Sequence, residues 1–289
     1  MADAIQIQLL DIYQPVTEKQ IQEGKNFNLR REAAANGLAA LIDALLKDAA
    51  EKITKICYRY GIDAKRFQLS SEYNEKMMKE VSDVLDELED EILDLTASYA
   101  TRCTKDKDKK SALWLWMLTL GKGGQGLKTT LENRLRIFTK DIEAMLVAAK
   151  TAKCDLTKAI TLVKSHLHNV YQMQGMKETF KNASRYRAEN IRLRGVKKGY
   201  RGSSNSEANN ILRFAKATLQ KAWMRYHRQL YEEQGAFGYY VLRGSTYPCD
   251  LCDSMTGLHM IDDVDGYPPY HPSCVCYTVP IFLYSNKSF

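Results

Sequence analysis

Five residues near the end of the sequence have the types and spacing to hold a soft metal ion. Cys249 and Cys252 stand in Pro248-Cys-Asp-Leu-Cys252, and His271, Cys274 and Cys276 stand in His-Pro-Ser-Cys-Val-Cys. A C-x2-C turn places two thiolates on one knuckle, where both reach a single ion at about 2.3 Å. Nineteen residues later, H-x2-C-x-C returns with three more candidate ligands. If Cys274 and Cys276 lie on a strand, their side chains share a face, because strand side chains alternate with a period of two. Tetrahedral zinc takes only four ligands. Cys249 and Cys252 are therefore expected as ligands, with His271, Cys274 and Cys276 competing for the other two places. The chemistry expected is structural Zn2+: four protein ligands leave no open position for a water, whereas catalytic zinc keeps one. A small sheet also needs a staple, and metal binding contributes directly to its folding. The alternative is a cluster of buried or disulfide-paired cysteines.

Other candidate chemistry is weaker. Zinc nucleobase deaminases pair P-C-x-x-C with an upstream H-x-E whose Glu moves the proton. Pro248–Cys252 matches the second half, but none of His166, His168, His227, His259 and His271 has a Glu two residues on. Gly121–Thr130 (GKGGQGLKTT) resembles a phosphate-binding loop, yet G-x4-G-K-[ST] needs Lys at 127, which is Leu127. It reads as a helix–helix turn. His166 and His168 read as helix surface residues, and Trp114 and Trp116 as core or docking side chains. No nucleophile or acid–base constellation appears, so an enzyme is not expected, nor a small-molecule substrate.

The elements that must position the cluster follow from proline and periodicity. Pro15 is the only proline before Pro248, and the remaining five crowd into the last 42 residues. A long proline-free stretch permits long helices, and a proline-rich tail does not. Apolar residues spaced by three and four predict helices over 38–60 (Leu38, Ile42, Leu45, Ala49, Ile53, Ile56), ended by Gly61, and over an acidic run with Val81, Leu85, Leu88, Ile92 and Leu95. Thr104–Lys110 reads as a charged loop. Further helices are expected at 127–152 and at 156–174, the latter capped by Asp155 and burying Ile160, Val163, Leu167 and Val170. A long helix at 206–233 carries Leu212, Ala215, Leu219, Ala222, Tyr226 and Leu230 in register, and Gly235 closes it. Phe237–Leu242 and Val275–Leu283, rich in β-branched and aromatic residues, predict strands, with Leu258–Ile261 as a third. The fold class expected is mainly α: helical N-terminal and central regions with a small C-terminal α+β module, a short antiparallel sheet stapled by a metal. The expected organisation is 1–110 (a helical region with the acidic heptad helix), 111–200 (a helical lead-in) and 201–289 (the long helix plus the Cys/His sheet).

Charge is uneven along the chain, whose formal net charge is +7. Between 177 and 228, fourteen Lys or Arg residues face only Glu178, Glu189 and Glu207. Arg192, Arg194, Lys197, Lys198 and Arg201 are the candidates for contact with nucleic-acid phosphates, and the acidic helix at 80–94 is an alternative, intramolecular partner. The most apolar stretch, Ala112–Leu120, is far shorter than the ~20 residues that span a bilayer. No charged start followed by an apolar run suggests export. A location inside a cell, with reduced cysteines and no membrane, is expected.

A long helix, Gly238-Tyr-Tyr-Val, C-x-x-C, a turn ending in Gly257, then Pro268-Pro-Tyr-His-Pro-Ser-Cys-Val-Cys276 and Val279-Pro280 together resemble the phage Mu F-like minor head proteins, also called phage head morphogenesis proteins. The resemblance is specific over about 205–282. It is looser over 126–175, where Gly126-Leu127 and later Asp155-Leu-Thr-Lys-Ala159 resemble the family's helical lead-in. The first ~110 residues match no motif. Where relatives carry Arg-Thr-Glu at the start of the long helix, this chain has Arg213-Phe214-Ala215. The resemblance implies a minor structural component of a tailed-phage or prophage head, located in the virion and, during assembly, in the host cytoplasm. It implies the portal and other head proteins as partners, DNA phosphates close by, and a part in head assembly, DNA packaging or ejection.

Overall fold

The computed structural model describes residues 12–61, 75–120, 126–170, 206–271 and 274–284. Among the described residues, seven α-helices and three strands follow in the order α1 (Glu18–Tyr60), α2 (Glu75–Ala100), α3 (Lys107–Leu118), α4 (Gly126–Thr151), α5 (Leu156–His166), α6 (Glu207–Glu233), β1 (Gly238–Leu242), α7 (Asp250–Ser254), β2 (Gly257–Met260) and β3 (Tyr277–Ile281). The fold is the mainly helical one expected, with a small antiparallel sheet at the C-terminal end. Two compact units interleave along the chain: 1–37 with 97–115 and 216–289, and 38–96 with 116–215.

The second unit is built on apolar stripes. Leu38, Ile42, Leu46, Ala49, Ala50, Ile53 and Ile56 of α1 are buried, as are Val81, Leu88 and Ile92 of α2 and Leu127, Leu131, Leu135, Phe138, Ile142, Met145 and Ala149 of α4. Leu85 and Leu95, expected on the same α2 stripe, are only half-buried, because an ideal helix drifts off a strict seven-residue repeat. Helix α5 buries Ala159, Val163 and, just past its end, Leu167, while Ile160 turns halfway out. Asp155 caps α5 as expected, its Oδ1 accepting from the Lys158 N–H at 2.8 Å. Lys164 reaches Glu51 of α1 at 2.7 Å and Tyr58 donates to the Cys154 carbonyl at 3.1 Å. At the start of α6, Asp141 Oδ2 accepts the Glu207 N–H at 2.7 Å, and Arg134 pairs with the buried Glu207 carboxylate at 3.0 Å. Helix α5 ends at His166, short of the expected 174: residues 167–170 turn out of the helix, with the Asn169 N–H donating to the His166 carbonyl. Positions beyond 170 and the polar break at Gly202–Asn205 lie outside the described residues, as does most of the Gly121–Gly126 turn.

The first unit contains the sheet, in the order β2-β1-β3 with both pairs antiparallel. Tyr240 faces Leu258 on one side and Val279 on the other, and Leu242 faces Tyr277. On that face Leu242, Tyr277 and Val279 pack with Ile21, and Val16 and Tyr240 lie at the margin. Helix α1 approaches the sheet closely: a Cβ on Gly24 would stand 2.7 Å from the Thr278 carbonyl oxygen. Only glycine leaves room there.

Helix α1 begins twenty residues before the expected start at Leu38. Thr17 and Gln20 form a capping box, with Thr17 N–H to Gln20 Oε1 at 2.8 Å and Gln20 N–H to Thr17 Oγ1 at 3.2 Å. Two glycines and a run of polar residues hide that first half from a search for apolar periodicity. The charged segment Thr104–Lys110 is likewise only partly a loop. Asp106 accepts from the Asp108 and Lys109 N–H groups and starts α3 at Lys107. On α6 the buried side is Ala208, Ile211, Ala215, Leu219, Ala222, Trp223, His227 and Tyr231, so the expected Leu212, Tyr226 and Leu230 flank the stripe.

Candidate metal centre

The knuckle at Cys249–Cys252 is the first turn of a short helix. Cys249 is the N-cap residue of α7 in an extended conformation, and Cys252 sits in the turn that follows. Backbone N–H groups at such a helix start favour negative charge on nearby thiolates. The return segment arrives from the loop that leads into β3. Cys274 and Cys276 therefore precede the strand rather than lie on it, since β3 begins at Tyr277. Both sulfurs nevertheless reach the same place, in one group with Cys252.

The five residues fall into two groups that share Cys252. The ligand atoms of Cys249, Cys252 and His271 form one group within 4.8 Å of one another, and those of Cys252, Cys274 and Cys276 form a second. Cys252 belongs to both. His271 Nε2 lies 3.4 Å from Cys249 Sγ and 3.0 Å from Cys252 Sγ, and Cys252 Sγ lies 3.9 Å from Cys274 Sγ. A tetrahedral ion bound at about 2.3 Å to sulfur and 2.0–2.1 Å to nitrogen sets edges of roughly 3.5–3.8 Å. The observed separations bracket that range, so these groups are positioned to hold a metal ion. Cys252, Cys274 and Cys276 are buried, whereas Cys249 and His271 are half-buried. The residues at 272 and 273 between the ligands lie outside the described residues.

The sulfurs are already electrostatically coupled. A hydrogen bond from Cys276 pulls the Cys274 thiol below its usual range, and holding that proton pushes Cys276 up. Burial raises Cys252, with repulsion from Cys274 adding to it. One thiolate with protonated neighbours is the arrangement expected where several acids share a small volume. A divalent cation at their centre would replace those protons. Cys57, Cys103 and Cys154 are free and lie elsewhere, and burial raises both Cys57 and Cys103 to about 12, which leaves their thiols unreactive.

Two residues that no motif pointed to support the return segment. Asn28 of α1 donates to the Val275 carbonyl at 2.9 Å, and Arg31 donates through Nη2 to the carbonyls of Cys274 at 3.0 Å and Cys276 at 3.3 Å. Their only signal is positional. Ile21, Asn28, Arg31, Ala35 and Leu38 recur by threes, fours and sevens, so a charged residue occupies a core position of the helix. On the other side, Gly244 lets the chain pass so close that a Cβ there would stand 1.9 Å from the Val275 carbonyl oxygen. Arg243 pairs with Asp253 and donates to the Tyr247 carbonyl, tying the loop before α7 to that helix.

Arg192, Arg194, Lys197, Lys198 and Arg201 fall outside the described residues. His168 spans Asp43 at 2.7 Å and Asn209 at 2.8 Å, His259 spans Asp263 and the Met255 carbonyl, and His227 stacks on Phe27. Trp114 and Trp116 are half-buried on α3. A groove of about 290 Å³ between α2 and α4, lined by Val81, Leu85, Leu135, Thr139, Glu89 and Glu143, offers carboxylates but no thiol or imidazole. No described helix is long and apolar enough to cross a membrane. Comparison with family models, with curated proteins and with solved structures returns no match to this chain.

Proposed function

We propose that the Cys/His cluster holds one structural zinc ion and that the chain is a minor head protein of a tailed phage or prophage, acting near the portal during head assembly, DNA packaging or ejection. The observation that carries the reading is the convergence of Cys249, Cys252, His271, Cys274 and Cys276, set within PP-x-HP-x-C-x-C behind a long helix and a three-stranded sheet. Three or more sulfurs with one imidazole are a soft donor set, which favours zinc over hard, oxygen-seeking cations. With four protein ligands the ion has no place for a reacting water, so its work is to hold the tail together and the chain is not an enzyme. The reading is tested in two ways. Elemental analysis should find about one zinc per chain, and the protein should be present in purified particles, encoded beside portal and large terminase genes. Absence from particles and from such a gene cluster would remove the head-protein role.

A second reading rests on the basic stretch 177–228: a zinc-knuckle module that binds nucleic acid outside a virion. It expects salt-sensitive DNA or RNA binding, weakened when Arg192, Arg194, Lys197, Lys198 and Arg201 are neutralised together. No binding at low salt would eliminate it.

A further inference from the structure

Arg31 is fully buried, and its hydrogen bonding is lopsided. Nη2 alone makes every described contact: Asn28 Oδ1 at 2.6 Å, the carbonyls of Cys274 and Cys276, and Glu32 Oε1 at 3.4 Å. Nε and Nη1 are buried without a hydrogen-bond partner among the described residues. Three of the five guanidinium N–H bonds are thus unpaired. The nearest carboxylate, Glu32, forms a long ion pair with Nη2 at 3.4 Å, also accepts from Gln220 Nε2 at 2.6 Å and is partly open to solvent, so it compensates the guanidinium only in part. An arginine stays protonated in a protein, and a buried charge that is only partly compensated is expensive. Cys274 and Cys276 are among the groups that act electrostatically on this guanidinium. The other arginine beside the cluster, Arg243, is partly exposed and is neutralised by Asp253.

Charge counting links the two features. Three thiolates, one neutral imidazole and one divalent cation sum to a single negative charge. Two thiolates would leave the site neutral, and four would leave two negative charges. The three-thiolate state supplies a single negative charge to a guanidinium that Glu32 compensates only in part. We propose that Arg31 is the counter-cation and positioning residue of a three-thiolate, one-imidazole zinc centre formed by Cys249, Cys252, His271 and one of Cys274 and Cys276. The proposal rests on the zinc reading above and deepens it: zinc occupancy then governs how firmly the first half of α1 docks on the tail. The same guanidinium holds the Cys274 and Cys276 carbonyls, so it sets the path of the return segment as well as its charge.

The test uses the full chain as wild type, Arg31→Met, Arg31→Lys and Arg243→Met. Competition against a zinc chelator of known affinity should show Arg31→Met binding zinc about 10–100-fold more weakly. Arg31→Lys should fall between it and wild type. Arg243→Met, whose charge is already neutralised by Asp253, should weaken zinc binding less than Arg31→Met does. Thermal melts separate a counter-ion from a mere packing residue. Zinc-loaded Arg31→Met should melt below zinc-loaded wild type by more than the two metal-free proteins differ, because the metal-free pair lacks the centre that the guanidinium supports. Cobalt substitution of wild type should give the thiolate-to-metal charge-transfer intensity of three sulfurs per ion. Equal loss of melting temperature in both metal states, an unchanged zinc affinity, or a cobalt spectrum of two or four thiolates overturns the assignment. A wild-type chain without zinc overturns the zinc reading itself and this proposal with it. Zinc-loaded wild type with an indifferent Arg31→Met overturns only the proposal.

Discussion

Helix α4 and the C-terminal sheet solve the same problem with different materials. Along α4, Leu127, Leu131, Leu135, Phe138, Ile142, Met145 and Ala149 are buried in succession, and burying one such side chain stabilises the fold by about 1.5–3 kcal/mol. The sheet has strands of four or five residues, one edge strand (β2) whose Leu258 and Met260 remain exposed, and a buried interior rich in polar groups: Arg31, His227, Thr278 and the hydroxyls of Tyr231 and Tyr267. A sheet of that size is marginal without a staple. The helical unit therefore tolerates losses one side chain at a time, whereas the tail depends on a few specific linkages. The comparison can be broken at either end.

The largest effect is expected from Cys252→Ser, which removes the one sulfur common to both ligand groups. Bound zinc should fall from about one per chain to near zero, and the tail should lose its protection in limited proteolysis between β1 and β3. Structural zinc sites supply apparent energies of about 10–16 kcal/mol to small domains, so partial folding of the tail is not expected. The protease-resistant core containing α4 and α5 should survive. A tail that stays protected without metal would show that Leu242, Tyr277 and Val279 suffice to hold the sheet. The reciprocal cut is Phe138→Ala, a fully buried ring in α4. It should cost about 3–5 kcal/mol in chemical denaturation and leave zinc content unchanged. Loss of zinc with it would end the separation between the two modes of stabilisation.

Acid provides a third comparison, because the sheet unit buries an imidazole that must stay neutral. His227 stacks on Phe27 at 3.8 Å, and its Nδ1 faces the Tyr267 hydroxyl at 3.3 Å. Burial, reinforced by Arg31 and Arg30 of α1, lowers its pKa from 6.5 to about 3. The other titratable groups facing it, Tyr231 and Tyr267, are raised by burial and stay neutral in acid. Above pH 6.5 His227 is neutral in both folded and unfolded chains and contributes no pH dependence. Below 6.5 the unfolded chain takes up a proton that the folded chain refuses, so stability falls by about 1.4 kcal/mol per pH unit, down to roughly pH 3. Denaturation at pH 6.5 and 5.5 should show about 1 kcal/mol of that fall in wild type minus His227→Phe, since the unfolded imidazole is already half protonated at pH 6.5. An identical slope in the variant would place the acid sensitivity elsewhere.

What could be read from the sequence follows the same division. The helices announced themselves through apolar periodicity, as at Leu127–Ala149, and through local signals such as Asp155 and Gly61. The five metal-ligand candidates were legible because thiol and imidazole chemistry is tied to residue type and short spacing. Their support was not legible. Asn28 and Arg31 act on residues about 245 positions away, and nothing local distinguishes them from surface residues of a polar helix. The shift on α6 from Leu212, Tyr226 and Leu230 to Ile211, Trp223, His227 and Tyr231 has the same origin. A wide, mixed stripe is fixed by what packs on it, and a histidine there looks like a surface residue until its partners Phe27 and Tyr267 are in place. Cys274 and Cys276 share a destination although neither lies on β3.

The smallest predicted effect lies in the helical unit and asks how much of its stability is local. Asp155 accepts from the Lys158 N–H at 2.8 Å, which together with Lys158 holds its carboxylate below the usual range. The side chain is exposed and touches nothing of the apolar interior. Asp155→Ala should therefore cost only the cap, about 0.5–2 kcal/mol, and Asp155→Asn should recover most of that, because the amide oxygen also accepts. Both variants should retain full zinc content and an unchanged chelator competition curve. A loss above about 3 kcal/mol, or any change in zinc, would mean that α5 carries more of the fold than its two buried residues, Ala159 and Val163, imply. The helical unit would then depend on single linkages much as the tail does, and Lys164 with Glu51 would be the next pair to cut.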